Sequence, residues 1–337
     1  MFRIFMLGVL CSLTGATSLS AQVLFGSLVG NVKDATDAAI PGAAVTATNR
    51  ATNQVRETTT DEAGSYNLPN LLPGAYDLRV SKDGFRVLSR PRVEVSVNNT
   101  ARVDLALQVG SVSETVEVTA ATPLLQTDRA EVRSEITAQQ FQNLPVAPGR
   151  NYQQLFKTLP GFRPPTNAHS VPTNPARALT FNVNGASYAI NNTKIDGASS
   201  IAPWLPHATA FVPTLESIDA VAVVTNSFDA EQGLAGGAAI NVSIKSGTND
   251  FHGAAFSYHT NNNLKAKNFF LPQGQDVPKL VFNEFGAAAG GAIKRDKLFY
   301  FASYEANFNH EFASRFGTVP TQAMKRGDTA AGMESRC

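Results

Sequence analysis

Residues 92–107 read Arg-Val-Glu-Val-Ser-Val-Asn-Asn-Thr-Ala-Arg-Val-Asp-Leu-Ala-Leu. Val93, Val95 and Val97 alternate with polar neighbours, and after Asn98-Asn99 the alternation resumes with Ala101, Val103, Leu105 and Leu107. A period of two turns these side chains to one face of a strand, so the stretch predicts two strands, Arg92–Val97 and Thr100–Leu107, sharing one apolar layer.

Upstream the same short-strand pattern recurs at Leu28–Val32, Ala44–Asn49, Val55–Thr60, Gly64–Leu68 and Gly74–Ser81. Pro41-Gly42, Asp61 to Gly64, Pro73-Gly74 and Asp83-Gly84 fall where the chain must reverse. Seven strands at this spacing predict a β-sandwich over residues 22–110.

The whole chain has 337 residues, enough for two or three domains. Lysine and arginine number 28 against 27 acidic residues, a net charge of +1, which gives nucleic acid or anionic lipid no bulk field to follow. With 16% charged residues, 25 glycines and 18 prolines, the balance favours turn-rich β structure over long solvated helices.

Arg3, the apolar run Ile4–Leu10 and the small residues up to Ser18, Leu19, Ser20 and Ala21 form a secretory leader over residues 1–21, too short to span a bilayer. Cleavage near Ser20 or Ala21 removes Cys11 and leaves Cys337 alone, so no disulfide is expected within the mature chain. Lipidation at Cys11 is the rival reading, although Val9 and Leu10 lack the small residues such a site uses. No later stretch reaches the roughly 18 apolar residues a membrane helix needs.

The sandwich resembles the carboxypeptidase regulatory-like domain through Gly30-Asn31-Val32-Lys33-Asp34, Ile40-Pro41-Gly42-Ala43, Thr60-Asp61-Glu62-Ala63-Gly64-Ser65-Tyr66, Leu72-Pro73-Gly74-Ala75-Tyr76 and Gly84-Phe85. Such domains are similar to carbohydrate-binding sandwiches, which makes a carbohydrate one partner the resemblance implies. Tyr66, Tyr76 and Phe85 would form the sugar platform; the alternative is that these rings pack in the core or against turns.

Residues 111–122 hold a strand-like linker in which Glu114, Thr115, Val116, Glu117, Val118, Thr119 and Ala120 resemble a TonB box, an acidic residue, Thr, two variable residues and Val-Thr-Ala. An energising partner can grip such a segment by main-chain strand addition, which tolerates side-chain variety. The implied partner is TonB, with its ExbB/ExbD complex.

Residues 123–249 change to mixed helix and strand. Glu131–Leu144 is expected to carry a short helix with Thr137 as N-cap, and Arg163–Ala176 reads as a long Pro- and Asn-rich loop. The segments Phe181-Asn182-Val183-Asn184-Gly185, Lys194-Ile195-Asp196-Gly197, Ile218–Asn226, Phe228–Gly233 and Gly236–Val242 follow in the order of the plug domain of TonB-dependent receptors, closest to the Oar-like group. The resemblance carries Asn184, Gly185, Asp196, Gly197, Glu231, Gly233, Gly236 and Gly237 as plug-motif residues, while Gln232 and Leu234 depart from the Tyr and Arg common there. The three glycines would permit close approach to a barrel wall. Asp196, Asp219, Asp229 and Glu231 read as turn-stabilising carboxylates and partners for barrel cations rather than as catalysts.

From residue 250 to 337 the pattern is that of an outer-membrane barrel's first strands. Phe256 and Tyr258 lie on one face of the first; Phe285, Ala287, Ala289, Gly291 and Ile293 of the second; Leu298, Tyr300, Ala302, Tyr304 and Ala306 of the third. A long polar connection, Thr260–Leu280, is followed by a tight turn, Lys294–Lys297. Plugged barrels of this type close with about 22 strands, so the expectation is an N-terminal fragment of a receptor that lies in outer-membrane lipid.

An enzyme is not expected. His169, His207, His252, His259 and His310 fall in no metal-ligand spacing, and no metal or other cofactor is implied. The expected fold is mainly β: sandwich, α/β plug and incomplete transmembrane barrel. The expected function is TonB-dependent uptake across the outer membrane, with the sandwich in the periplasm. The competing function is that of an exported carbohydrate-binding protein at the cell surface or in the periplasm.

Overall fold

A computed structural model describes residues 25–110, 115–117, 130–147, 149–163, 179–202, 205–209, 211–267, 269–271, 274, 276–311 and 322–327. The expected leader, Cys11, Cys337, four residues of the TonB-box-like segment (Glu114, Val118, Thr119 and Ala120) and most of the Arg163–Ala176 loop lie outside these residues. Residues up to 256, with 286–305, form one compact unit; residues 257–285 and those after 305 form a second.

The alternation in residues 92–107 does what its period requires, since Val93, Val95, Val97, Ala101, Val103, Leu105 and Leu107 are all buried. The sandwich consists of β1 (Gly26–Asp34), β2 (Ala44–Asn49), β3 (Val55–Thr59), β4 (Ser65–Leu71), β5 (Gly74–Ser81), β6 (Val87–Val95), β7 (Thr100–Arg102) and β8 (Leu105–Leu107). One sheet centres on β1, which pairs antiparallel with β4 and parallel with both β7 and β8. The other runs β3-β2-β5-β6-β9, where β9 is Thr115–Glu117. Leu28, Val32, Val45, Leu71, Leu78 and Val80 fill the core between them.

The seventh expected strand is thus two strands. Val103 donates its N–H to Val29 O at 2.8 Å, and Asp104 turns its Oδ1 to the Asn31 N–H at 2.9 Å, breaking the ladder between β7 and β8. Gly30 makes this possible: a Cβ there would lie 2.0 Å from the Val103 carbonyl oxygen. β6 also begins five residues earlier than Arg92, at Val87.

The described residues between 130 and 249 contain β10 (Val132–Thr137), α1 (Ala138–Asn143), β11 (Asn192–Ile195), β12 (Ala198–Ser199), β13 (Ile201–Ala202), β14 (Leu205–Thr209), β15 (Ile218–Asn226) and β16 (Ala239–Ile244). Their sheet runs β10-β15-β16-β11-β12, with β13 and β14 as a separate hairpin. The short helix expected within residues 131–144 is α1, and the residues ahead of it form a strand. Val132–Thr137 pairs with β15, Ile136 opposite Val221, because β-branched residues with a cross-strand partner outweigh helix propensity there. Thr137 does head the helix that follows, donating its N–H to Gln140 Oε1 at 2.9 Å. A second core, around Tyr152, Phe156, Phe162 and Phe181, covers this sheet. The Phe156 ring centroid lies 5.8, 5.4 and 5.6 Å from those of Tyr152, Phe162 and Phe181.

Three long strands come next: β17 (His252–Asn261), β18 (Leu280–Lys294) and β19 (Leu298–Glu311), in that sheet order. Along β18, Phe285, Ala287 and Ile293 are exposed while Leu280, Phe282, Glu284 and Ala288 are buried, the two-faced pattern of a barrel wall. A short helix, α2 (Gln322–Lys325), follows. No helix among the described residues is long and apolar enough to cross a membrane.

Candidate functional site

The plug-motif residues build two tight reversals. Asn184 and Gly185 have φ of 51° and 82°, Asp196 and Gly197 of 46° and 86°, the left-handed pairs that two-residue hairpin turns demand. The first reversal is closed by the Ala186 N–H on Val183 O at 2.8 Å, and the second joins β11 to β12 with Ile195 opposite Ala198. Asp196 also binds β16: its N–H donates to Val242 O at 2.9 Å and its Oδ1 accepts the Ile244 N–H at 2.9 Å. Burial raises the Asp196 carboxyl above the usual carboxylate range, partly offset by that Ile244 bond.

Gly233 ends the 3₁₀ turn Ala230–Gln232 at φ 70°, ψ −142°, a conformation open to glycine alone. Glu231 stands within that turn. Gly236 and Gly237 crowd against residues 190 and 191: Cβ atoms there would lie 2.9 Å from Ile190 Cδ1 and 2.4 Å from Asn191 Oδ1. The close approach expected of these glycines toward a barrel wall is therefore made, in this structure, to residues 190–192. The reason is a set of short bonds, Gly236 N–H to Ile190 O at 2.9 Å and Ala238 N–H to Asn191 Oδ1 at 3.0 Å.

Sequence reasoning marked Gln232 only as a departure, yet it is the centre of a buried polar cluster. Its Oε1 accepts Asn241 Nδ2 at 3.0 Å, its Nε2 donates to Glu131 Oε1 at 3.3 Å, and its carbonyl accepts Asn192 Nδ2 at 3.0 Å. These bonds lock the 3₁₀ turn to β11 and β16. Leu234, the second departure, is 91% exposed and takes no part.

A second feature had no sequence signal, because its partners are far apart in the chain. Arg150 forms an ion pair with Glu216, each side chain 13% exposed, and its guanidinium sits 5.0 Å from the Phe256 ring centroid in β17. Lys245 Nζ donates to the Glu216 carbonyl at 2.9 Å. Arg150 thus holds both a carboxylate of the segment expected to be the plug and an aromatic of β17, the reverse of carboxylates in that segment waiting for barrel cations.

The sandwich also touches both later parts within the first unit. Arg133 of β10 donates through Nη1 to Asn98 O at 2.7 Å and through Nη2 to Val97 O. The Asn249 N–H donates to Ala51 O at 2.9 Å, and Asp296 Oδ1, in the turn between β18 and β19, accepts Asn53 Nδ2 at 2.9 Å and Asn249 Nδ2 at 2.8 Å.

Tyr66 and Tyr76 are core rings. Both are buried, and their hydroxyls donate to Val103 O at 2.7 Å and Leu72 O at 2.9 Å; burial raises both phenols. Phe85 packs partly buried on the same core. One surface cleft of the sandwich is lined by Asn31, Lys33, Asp34, Asp37, Arg102 and Asp104 with Leu105 and Ala106, none of them aromatic. A stacking platform for sugar is not formed by the three rings.

Residues 27–108 match the carboxypeptidase regulatory-like domain family, and residues 243–335 match the outer membrane beta barrel domain family. The TonB-dependent transporter Oar of Myxococcus xanthus is 28% identical over 313 residues, 86% of this chain. This chain is a homologue of that transporter. It spans 28% of Oar's length. The barrel domain and this homology place the chain in the outer membrane. Among solved structures, the siderophore receptor PirA of Acinetobacter baumannii aligns over 55% of this chain and 26% of its own, at 17% identity and a TM-score of 0.37. A catechol 1,2-dioxygenase of Acinetobacter aligns over 32% of this chain and 60% of its own, at 14% identity and a TM-score of 0.24. Among the described residues no three His, Cys, Asp or Glu side chains group as metal ligands.

Proposed function

We propose that this chain is the front of a TonB-dependent outer-membrane receptor that takes up a small substrate. In this reading residues 22–110 hang in the periplasm, 111–122 are the handle, 123–249 are the plug and residues from 250 onward begin the barrel. TonB, energised by ExbB/ExbD, grips Glu114–Ala120 and pulls; the plug yields and opens a path. The chain acts as a transporter component and not as an enzyme.

One observation carries the reading: an extended strand of TonB-box-like sequence, Thr115–Glu117, stands directly ahead of a plug sheet with its own core. A force applied at that strand reaches the plug through β10, which pairs with the sheet's central strand β15. The Arg150 contact with Glu216 and Phe256 is then one of the ties that must give way. The turn residues Asn184, Gly185, Asp196, Gly197, Gly233, Gly236 and Gly237 serve as geometry-setting positions that let a small sheet fold without long connections, and Glu231 belongs to the turn that Gly233 ends.

A peptide of residues Ser113–Ala121 is expected to bind the C-terminal domain of the same organism's TonB in titration calorimetry. Val118→Pro should abolish that binding, because proline removes a main-chain donor and resists strand pairing. Absence of binding by the unsubstituted peptide, alone or within the chain, would overturn the reading.

A further inference from the structure

Two turns of the sandwich reach beyond it. The β2–β3 turn is fixed from inside: buried Asn49 accepts the Ala51 and Thr52 N–H groups on its Oδ1 at 2.9 and 3.1 Å, and Asn53 takes φ 56°. Ala51 O then accepts the Asn249 N–H at 2.9 Å, and Asn53 Nδ2 donates to Asp296 Oδ1 at 2.9 Å. Asn249 closes the triangle. Its Nδ2 donates to Asp296 Oδ1 at 2.8 Å, and its Oδ1 accepts the Asp296 N–H at 2.9 Å.

The β6–β7 turn makes a second tie. Asn98 has φ 50° there, and the carbonyls of Val97 and Asn98, both buried residues, accept from one guanidinium, that of Arg133. The Arg133 side chain is 4% exposed and pairs with Glu135 at 3.8 Å. Arg133 sits at the leading end of β10, an end strand of its sheet, where the ladder slips by one residue: Val132 faces Asn226 and Arg133 faces Val224. Such a slip re-aims a side chain, and a planar fork suits two neighbouring carbonyls.

Like charges oppose these ties. Partial burial raises the carboxyl of Glu94 in β6, and Asp219 of β15 and Glu135 of β10 raise it further, against Arg92. Lys245 attracts Asp219 and Arg133 pairs with Glu135, yet the net effect on Glu94 remains upward. Hydrogen bonds close the contact while carboxylates on its two sides push it open.

We propose that the sandwich is a releasable clasp: its β2–β3 and β6–β7 turns dock on Asn249, Asp296 and Arg133 in one step, and β10 leaves β15 only after both turns let go. The docking itself stands apart from the TonB reading. Its place in uptake rests on that reading, in which a pull delivered ahead of β10 loads Arg133 before it loads the β10–β15 ladder.

The test follows the full chain in detergent by hydrogen exchange at the Asn249 amide and by phenylglyoxal modification of Arg133, both located by mass spectrometry. Arg133→Met removes the second tie and should speed exchange at Asn249 by about ten- to a hundredfold. Asn53→Gly keeps the left-handed turn, removes the side-chain amide and should raise modification of Arg133 by about three- to tenfold. Glu94→Gln should slow exchange at Asn249 by about two- to fivefold at pH 7, a gap that closes as pH falls into the carboxylate range and the raised carboxyl takes up its proton. A shared step makes the effects reciprocal. Silence of either tie variant at the other's site, or an Asn249 amide that exchanges in the parent as in a free peptide, overturns the clasp. Equal or faster exchange in Glu94→Gln also overturns it. If Arg133→Met loses the protection of the sandwich core as well, Asn53→Gly and Glu94→Gln decide alone. None of these readouts involves TonB, so their failure leaves the uptake reading standing, and a box peptide that does not bind TonB leaves the docking standing.

Discussion

Replacing Arg150 with methionine keeps most of the side chain's bulk and removes its charge. The Glu216 carboxylate would then stand in a site where its side chain is 13% exposed, with Oε2 already lacking a hydrogen-bond partner. Lys245 does not substitute, being engaged by the Glu216 main-chain oxygen at 2.9 Å. Stranding one member of a buried pair costs about 3–5 kcal/mol, whereas replacing both members by apolar groups is often near neutral. Arg150→Met should therefore lower amide protection across the Leu215–Asn226 segment by roughly a hundred- to several thousand-fold. Arg150→Met combined with Glu216→Leu should stay within about tenfold of the parent. Phe256→Leu, which removes only the ring beneath the guanidinium, should cost about 0.5–2 kcal/mol. Hydrogen exchange read by mass spectrometry on the detergent-held chain gives all three values. A change under about fivefold in Arg150→Met, or a double variant as impaired as the single one, would refute the claim that this pair is desolvated and ties plug to barrel.

Three further outcomes follow from the same packing. Phe156→Ala empties the centre of the four-ring cluster and should destabilise the plug by about 3–5 kcal/mol in a denaturant series, with Phe156→Leu costing markedly less. Gly233→Ala forces a side chain into φ 70°, ψ −142° and should cost about 1–3 kcal/mol, read as faster proteolytic cleavage near residue 233. Asp219 is raised by burial first and by Glu135 next, while Lys245 pulls it down. Its folded value lies above the unfolded one, so the folded state holds the proton longer and stability falls as pH rises through that interval. Asp219→Asn should thus be more stable than the parent at pH 7, with an advantage that fades as pH falls toward the ordinary carboxylate range; an advantage constant with pH would contradict the assignment.

Local rules made much of the fold legible. Period-two alternation located Val93 to Leu107, and Ala44–Asn49 and Gly74–Ser81 have the bounds their turns suggested. Alternation also separated the exposed Phe285 and Ala287 from the buried Phe282 and Glu284. What sequence did not convey depends on contacts distant in the chain. The break between Arg102 and Leu105 arises from Gly30, more than seventy residues earlier, against which Val103 packs. Val132–Thr137 is a strand because β15 lies beside it, a fact absent from its own composition. Arg150 and Glu216 are 66 positions apart and neither sits in a recognisable motif. Gln232 had a faint signal, a polar residue flanking the glycine that ends its turn, but only three distant partners, Glu131, Asn192 and Asn241, give it meaning.

The account's central claim is that the segment ahead of the plug is gripped by TonB. In cells bearing the full-length receptor, single cysteines placed in turn at positions 114–120 and paired with cysteines along TonB's periplasmic domain should yield disulfide-linked receptor–TonB adducts in the membrane fraction. Adducts confined to these positions, absent from cysteines placed in the sandwich core, are the predicted result. A receptor that reaches the outer membrane yet forms none at any of the seven positions would contradict it.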